Sequence, residues 1–433
     1  MSRIYNFNAG PAVLPLEVIE EAQRELVDFQ GTGMSLLESS HRAKAYDAVH
    51  NEAIANLREL MGIPEDYAVL FLQGGASTQF SMVPMNLLLP GTSADYVNSG
   101  AWANKAVKEA QKVGTVNVIA NTAKDIPTRI PAMETLKFTP GAAYVHITSN
   151  ETIAGAQWKA FPKTEAPLVA DMSSDILSRP FDVKDFGLIY AGAQKNLGPS
   201  GVTLVIVRKD LAEKAPAGLP TMLDYRTHIE ANSLYNTPPT FGIYLLALVT
   251  RWVKKVGKEN LFKQNVEKAA KLYAAIDGSG GFFKGTAVPE CRSDMNVTFR
   301  IFPDGATASE DMEKKFVAEA TAAGFAGLKG HRSVGGLRAS IYNAFPAKGV
   351  DDLVAFMADF QKKNGSFRFA RPAGPAVHPR RRTRRALIGR VRAARIVLRR
   401  FVTEPRGGRT GRCRRFSRED RPNRPRRRRD RRP

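Results

Sequence analysis

Asp185-Phe-Gly-Leu-Ile-Tyr-Ala-Gly-Ala-Gln-Lys195-Asn-Leu-Gly-Pro199 holds an apolar run, residues 188–191, that ends on glycine and then on a lysine. A short apolar run closed in this way reads as a buried strand, with the lysine just past its end. Similar runs flank it. Residues 168–170 end on Asp171, and residues 202–207 follow the lysine turn. Upstream lie strand-like runs at 67–72, 95–97, 116–119 and 143–147, with helical composition over 77–88 and 105–112. Strands without polar alternation, separated by helices, predict a mostly parallel central sheet with helices on both faces, an α/β fold.

The rest of the first 363 residues extends this plan. Residues 1–15, with Asn8-Ala-Gly-Pro11 and Leu14-Pro15, read as an extended N-terminal arm. Apolar spacing predicts helices over 16–29 and 44–61, with Gly62 as the stop of the second. Further helices are expected over 240–256, 261–276, 310–323 and 351–362, and strands over 296–301 and 337–341. This pattern divides into a large domain over 16–260 and a smaller α/β C-terminal domain over 261–363. No internal repeat is present.

Charge separates the chain more sharply than any motif. Residues 1–363 carry 38 Lys+Arg and 38 Asp+Glu, whereas residues 364–433 carry 26 Arg, no Lys and four acids. The formal net charge of +22 therefore belongs wholly to the tail. The two cysteines, Cys291 and Cys413, make neither a disulfide framework nor a zinc cluster. No run reaches the roughly 20 apolar residues that cross a membrane, and the first residues lack a signal-peptide pattern. A cytoplasmic protein with no membrane partner is the expectation.

Five features together suit a pyridoxal phosphate enzyme. Lys195, at a strand end where α/β sheets bind ligands, supplies a Schiff-base amine whose pKa burial would lower. Asp171 can keep a pyridine nitrogen protonated. Gly74-Gly75 lies between a strand and a helix, where close approach and free N–H groups can hold a phosphate. Trp102 can stack on a flat ring, and the Thr152 hydroxyl can donate to a phenolic oxygen. Taken singly, each has an ordinary alternative: surface lysine, capping aspartate, core tryptophan, turn threonine. A second set handles anions: Ser40-His-Arg42, Gly330-His-Arg332 and Arg338 offer guanidinium forks for a small substrate with two anionic ends.

In this order the segments resemble the phosphoserine aminotransferase family, within the class V group of fold-type I pyridoxal phosphate enzymes. The matching stretches are Asn6-Phe-Asn-Ala-Gly-Pro-Ala12, Ser39-Ser-His-Arg42, Gly74-Gly75 with Gln79-Phe80, Asn150-Glu-Thr-Ile153 and Asp171-Met-Ser-Ser174. Gln194-Lys195-Asn-Leu-Gly-Pro199, Asn236-Thr-Pro-Pro239 and His331-Arg332 with Val334-Gly-Gly-Leu-Arg-Ala-Ser-Ile-Tyr-Asn343 complete them, so the resemblance spans residues 3–363. It implies amino transfer between L-glutamate and 3-phosphohydroxypyruvate, giving O-phospho-L-serine and 2-oxoglutarate in serine biosynthesis. It also implies possible use of 3-hydroxy-2-oxo-4-phosphooxybutanoate in pyridoxine biosynthesis. Lys195 would then carry the cofactor, with Trp102, Asp171 and Thr152 on its ring and Ala76, Ser77 and Gln194 in its phosphate cup. Asn236 and Thr237 would reach the cofactor phosphate of a neighbouring subunit in a homodimer with shared sites. Arg338 with His41 would hold the substrate carboxylate, and Arg42, His331 and Arg332 the substrate phosphate. Ser77 departs from members that carry arginine there, which shifts that load to Arg42 and Arg332.

Three rivals remain open on sequence grounds. A cysteine desulfurase would need a reactive cysteine, and neither Cys291 nor Cys413 lies in a recognisable reactive loop. Serine– or alanine–glyoxylate transfer would leave the His-Arg pairs without a second anion. A non-enzyme reading rests on the tail, which would bind polyanions without specificity for any nucleic acid. In that tail residues 386–398 could form a basic amphipathic helix and the remainder is expected to be disordered. Its arginine-only composition also matches arginine-rich codons read in a shifted or extended frame.

Overall fold

In the computed structural model the described residues are 3–365. They fall within one compact unit. The tail expectations, residues 366–433, lie outside the described residues.

The chain opens with strand β1 (Tyr5–Asn6) and helices α1 (Leu16–Arg24) and α2 (Lys44–Met61). An alternating series follows: β2 (Tyr67–Leu72), α3 (Gly75–Leu87), β3 (Ser93–Asn98), α4 (Ala101–Ala110), β4 (Thr115–Asn121) and β5 (Val145–Thr148). A short hairpin, β6 (Asn150–Glu151) and β7 (Ala156–Gln157), leads to β8 (Leu168–Asp171), β9 (Leu188–Gly192) and β10 (Thr203–Arg208). Helices α5 (Lys209–Glu213), α6 (Tyr225–Glu230), α7 (Thr240–Val256) and α8 (Lys258–Asp277) come next. The last elements are β11 (Phe283–Gly285), β12 (Asn296–Ile301), α9 (Glu310–Ala322), β13 (Phe325–Ala326), β14 (Leu337–Ser340) and α10 (Ala347–Asn364).

The central sheet has seven strands in the order β2-β10-β9-β8-β5-β3-β4. Only β10 runs against its neighbours; the other pairings are parallel. Residues of β2, β5 and β8 are buried throughout, as expected of strands covered on both faces. One face packs α2 and α7 into a core containing Tyr46, Leu57, Phe71, Trp158 and Leu246. The other packs α3 and α4 through Phe80, Val83 and Val107. A third core gathers β11, β12, β14, α8, α9 and α10, with Phe7 from the first residues added to it. Its phenylalanines meet edge to face, as Phe299 and Phe316 do at 6.2 Å and 89°.

Helix ends follow local chemistry. Gly62 closes α2 at φ 64°, the left-handed stop that glycine tolerates best. Ser309 caps α9 by accepting from the Met312 N–H at 3.2 Å. The helix expected over 16–29 ends at Arg24 instead. Beyond it, Asp28 accepts from the Gly33 N–H at 2.8 Å and Phe29 N–H donates to the Met34 carbonyl. These turn bonds compete with continued helix. Conversely α10 begins at Ala347, earlier than 351, because Pro346 stands just before its first turn.

Candidate active site

The parallel strands β2, β5, β8 and β9 end at one edge of the sheet. Reversal of β10 brings its beginning, Gly201-Val202, to the same edge. There a cavity of about 270 Å³ opens. It is lined by Ala76, Ser77, Trp102, Thr152, Asp171, Gln194 and Lys195, residues drawn from five separate segments. Gly74, Gly75, Thr148, Ser173 and Ser174 complete much of its wall. The serines follow Asp171 after Met172, within the stretch Asp171-Met-Ser-Ser174 quoted above, but had no assigned role. Thr148 had no sequence signal, being one more residue in an apolar strand.

Lys195 Nζ donates to Thr152 Oγ1 at 2.8 Å and stands 5.8 Å from the centre of the Trp102 ring. Burial pulls its pKa down to about 8, with the Asp171 charge working against that shift and Arg338 adding to it. Asp171, 4 % exposed, accepts the Ser173 N–H at 2.9 Å. Burial pushes its carboxyl above the ordinary range. A cationic partner would reverse that cost. Its register places it beside Thr148 on one side and Tyr190 on the other.

The turn after Asp171 is over-determined. Asn196, Asn343 and Asn265 donate side-chain N–H groups to the carbonyls of Ile176, Leu177 and Ser178, at 3.0, 2.8 and 3.1 Å. Between them Leu177 is held at φ 53°. A bulky residue resists this conformation by about 1–3 kcal/mol. Three asparagines from different elements therefore fix the segment that carries Asp171 against the one that carries Lys195.

Gly74 and Gly75 take φ of 86° and 65° and lead into α3. The first N–H groups of a helix have no partner within it and carry the positive end of its dipole. At this edge they lie beside Ala76 and Ser77, which suits a phosphate. Trp102 Nε1 and Thr148 Oγ1 are buried with no hydrogen-bond partner. The cleft thus holds a depressed amine, a raised carboxyl, unmated donors and a flat indole. That donor set fits a phosphorylated pyridine aldehyde.

The anion-handling residues are not all brought to this cleft. Arg338 and His331 line an adjoining cavity. Arg338 Nη1 lies 3.5 Å from the Thr152 carbonyl, while its Nε is buried without a partner. His41 stands elsewhere, its Nδ1 3.3 Å from Thr237 Oγ1. Asn236 lines a hollow behind Gly74, together with Gln73. Arg42 and Arg332 are exposed. Cys291 is 6 % exposed, with Sγ 3.9 Å from the Thr128 carbonyl, and does not line the lysine cleft. Among the described residues no group of three metal-binding side chains occurs, and no helix is long and apolar enough to cross a membrane.

A lysine at the end of one parallel strand, an aspartate at the end of its neighbour and a glycine-opened helix define a fold-type I pyridoxal phosphate transferase. Residues 4–353 match the family described as aminotransferase class-V, and the chain belongs to that family. Its similarity reaches further, to the phosphoserine aminotransferase of Lysinibacillus sphaericus, which is 59% identical over 364 residues, 84% of this chain and 99% of that one. The solved phosphoserine aminotransferase from Bacillus circulans subsp. alkalophilus superposes with a TM-score of 0.80 at 56% identity, covering 84% of this chain and 99% of that one. The PLP-bound phosphoserine aminotransferase from Trichomonas vaginalis gives 0.79 at 41% identity, covering 82% and 100%.

Proposed function

We propose that this chain is a pyridoxal phosphate-dependent phosphoserine aminotransferase, moving the amino group between L-glutamate and 3-phosphohydroxypyruvate. The observation that carries this reading is sequence identity of 53–59% with phosphoserine aminotransferases along nearly their whole length. The convergence of Lys195, Asp171, Trp102 and the Gly74-Gly75 turn on one cavity supports it.

When bound, the cofactor supplies a protonated ring that draws electrons from the substrate Cα. Lys195 would hold the cofactor through Nζ. Its amine would also serve as the base toward the substrate Cα, since its lowered pKa keeps a neutral fraction available near pH 7. Asp171 would keep the ring nitrogen protonated. Thr152, now bonded to Lys195, is placed to donate to the phenolic oxygen. The helix start at Gly75, Ala76 and Ser77, with Gln194, binds the phosphate. Arg338, which lines the adjoining cavity, binds the substrate carboxylate through its guanidinium.

His41, Arg42, Asn236, Thr237 and Arg332 serve in this reading across a homodimer. Their positions outside the lysine cleft are consistent with work on a neighbouring subunit's site. Exposed Leu37 and Met34 precede His41-Arg42, and exposed Tyr235 precedes Asn236. Apolar side chains flanking polar site residues suit a subunit contact. A smaller domain over 261–363 beside a cofactor domain over 16–260 is supported by the third core, to which Phe7 and Val13 of the first residues also contribute.

The test compares amino acceptors, with glutamate as donor. 3-Phosphohydroxypyruvate should exceed pyruvate and glyoxylate by ~10²-fold or more in kcat/KM, because unmatched guanidinium groups penalise the smaller acids. Lys195→Ala should abolish turnover of every acceptor. A preference for glyoxylate would overturn the assignment.

A further inference from the structure

Glu151 has no part in the mechanism above, yet its carboxylate is fully buried one residue from Thr152. It accepts three hydrogen bonds. Oε1 takes the Ala103 N–H at 3.0 Å and the Ser99 hydroxyl at 3.4 Å, and Oε2 takes the Trp102 N–H at 3.2 Å. Both oxygens are thus committed to the first turn of α4, the turn that carries the indole. The indole has no hydrogen bond of its own, since Nε1 is buried without a partner, and its one polar contact besides Lys195 is the Lys105 ammonium 4.0 Å over the ring, from the same helix α4. The orientation of Trp102 therefore depends on packing, on Lys105 and on the α4 backbone that Glu151 holds and that carries both residues.

The other side of the clamp is equally fixed. Glu151 belongs to the β6–β7 hairpin, paired with Ala156. Its neighbour Asn150 donates to Ser174 Oγ and to Asn296 Oδ1, both at 2.8 Å. Its other neighbour, Thr152, accepts from Lys195. One dipeptide, Glu151-Thr152, thus holds the backbone beneath the indole with one side chain and the reactive amine with the next. Gly100 makes room for this. A Cβ there would lie 2.4 Å from Glu151 Cδ and 2.6 Å from Oε2. The φ of Gly100, 174°, is ordinary extended backbone, so the glycine is required by space alone.

We propose that Glu151 is a positioning residue for Trp102: by clamping the start of α4 from the Thr152 hairpin, it sets the angle at which the indole meets the cofactor ring. The inference rests on the cofactor reading given above. Glutamine in its place has nearly the same shape but only one acceptor oxygen. Its amide NH2 would face either the Trp102 or the Ala103 N–H, donor against donor. That conflict tilts the helix start rather than unfolding it.

The experiment uses the full chain with Trp158→Phe and Trp252→Phe, which leaves Trp102 as the sole tryptophan. Pyridoxal phosphate is titrated into the apoprotein while Trp102 fluorescence is read, and kcat and KM for glutamate are then measured on the loaded enzyme. Glu151→Gln should weaken cofactor binding about tenfold, reduce the quenching of Trp102 at saturation, and lower kcat more than KM. Gly100→Ala should reproduce these changes, and the two together should be no worse than either alone, because both break one clamp. A Glu151→Gln protein that melts earlier but keeps the parent's quenching and affinity would be purely structural, and the proposal would fall. A parent protein that does not bind pyridoxal phosphate would overturn the cofactor reading and this inference with it. Normal parent binding with an unaffected variant would overturn the inference alone.

Discussion

A lysine kept from water gives up its proton more readily, and at Lys195 that effect has a direct kinetic reading. Burial brings the amine to about 8 from an ordinary 10.5. Only the neutral amine attacks an aldehyde. Mixing apoprotein with pyridoxal phosphate should therefore form the imine absorbance at a rate that climbs about tenfold per pH unit below 8 and levels off above it. Asp171 raises the lysine pKa, so Asp171→Asn should move the midpoint to lower pH. Stopped-flow absorbance across pH 6–10 reads both. A rate still climbing beyond pH 10 would mean that the lysine keeps its solution pKa. Lys195 and Asp171 were legible in the sequence because each ends an apolar strand, where a charged residue is conspicuous. Glu151 was not, because a carboxylate facing a helix start several dozen residues away looks like any surface acid. The left-handed Leu177 left no trace either, since its cause is three asparagines that are distant in the chain.

At the level of elements, the glycine pair at the start of α3 separates two costs that a sequence cannot tell apart. Both residues have positive φ, but a Cβ on Gly75 meets nothing within 4 Å, whereas one on Gly74 would lie 1.9 Å from Thr78 Oγ1 and 2.7 Å from its Cβ. Gly75→Ala should cost only the left-handed penalty, about 1–2 kcal/mol. Gly74→Ala adds a clash that rotation of Thr78 alone does not relieve, and should cost ~2–4 kcal/mol. Urea unfolding of the two apoproteins checks the order, and equal losses would refute it. Three elements rich in apolar residues were read to the residue: 67–72, 240–256 and 296–301 match the observed bounds of β2, α7 and β12. The reversal of β10 was not readable. An internal antiparallel strand is as uniformly apolar as its parallel neighbours. Strands of two or three residues, such as β1, β11 and β13, also escaped. Their existence depends on partners far along the chain rather than on their own composition.

For the whole molecule, the residues left outside the lysine cleft predict association. Sedimentation at assay concentrations should give a dimer, and replacing Asn236 and Thr237 together by alanine should weaken cofactor binding by about tenfold or more. A fully active monomer would contradict the shared site. One feature also bears on the order in which the molecule is made. Strand β1 lies parallel to β13, Tyr5 opposite Phe325. A few residues on, the Ala12 N–H donates to the carbonyl of Gln194 at 2.9 Å, and Tyr342 ties the Ala9 carbonyl at 2.7 Å. During translation the arm leaves the ribosome long before either β13 or Tyr342 exists. The lysine turn is therefore synthesised before the contacts that seat the arm beneath it are available. A nascent chain halted before Phe325 would carry every lining residue of the lysine cleft, yet lack the strand that anchors the arm.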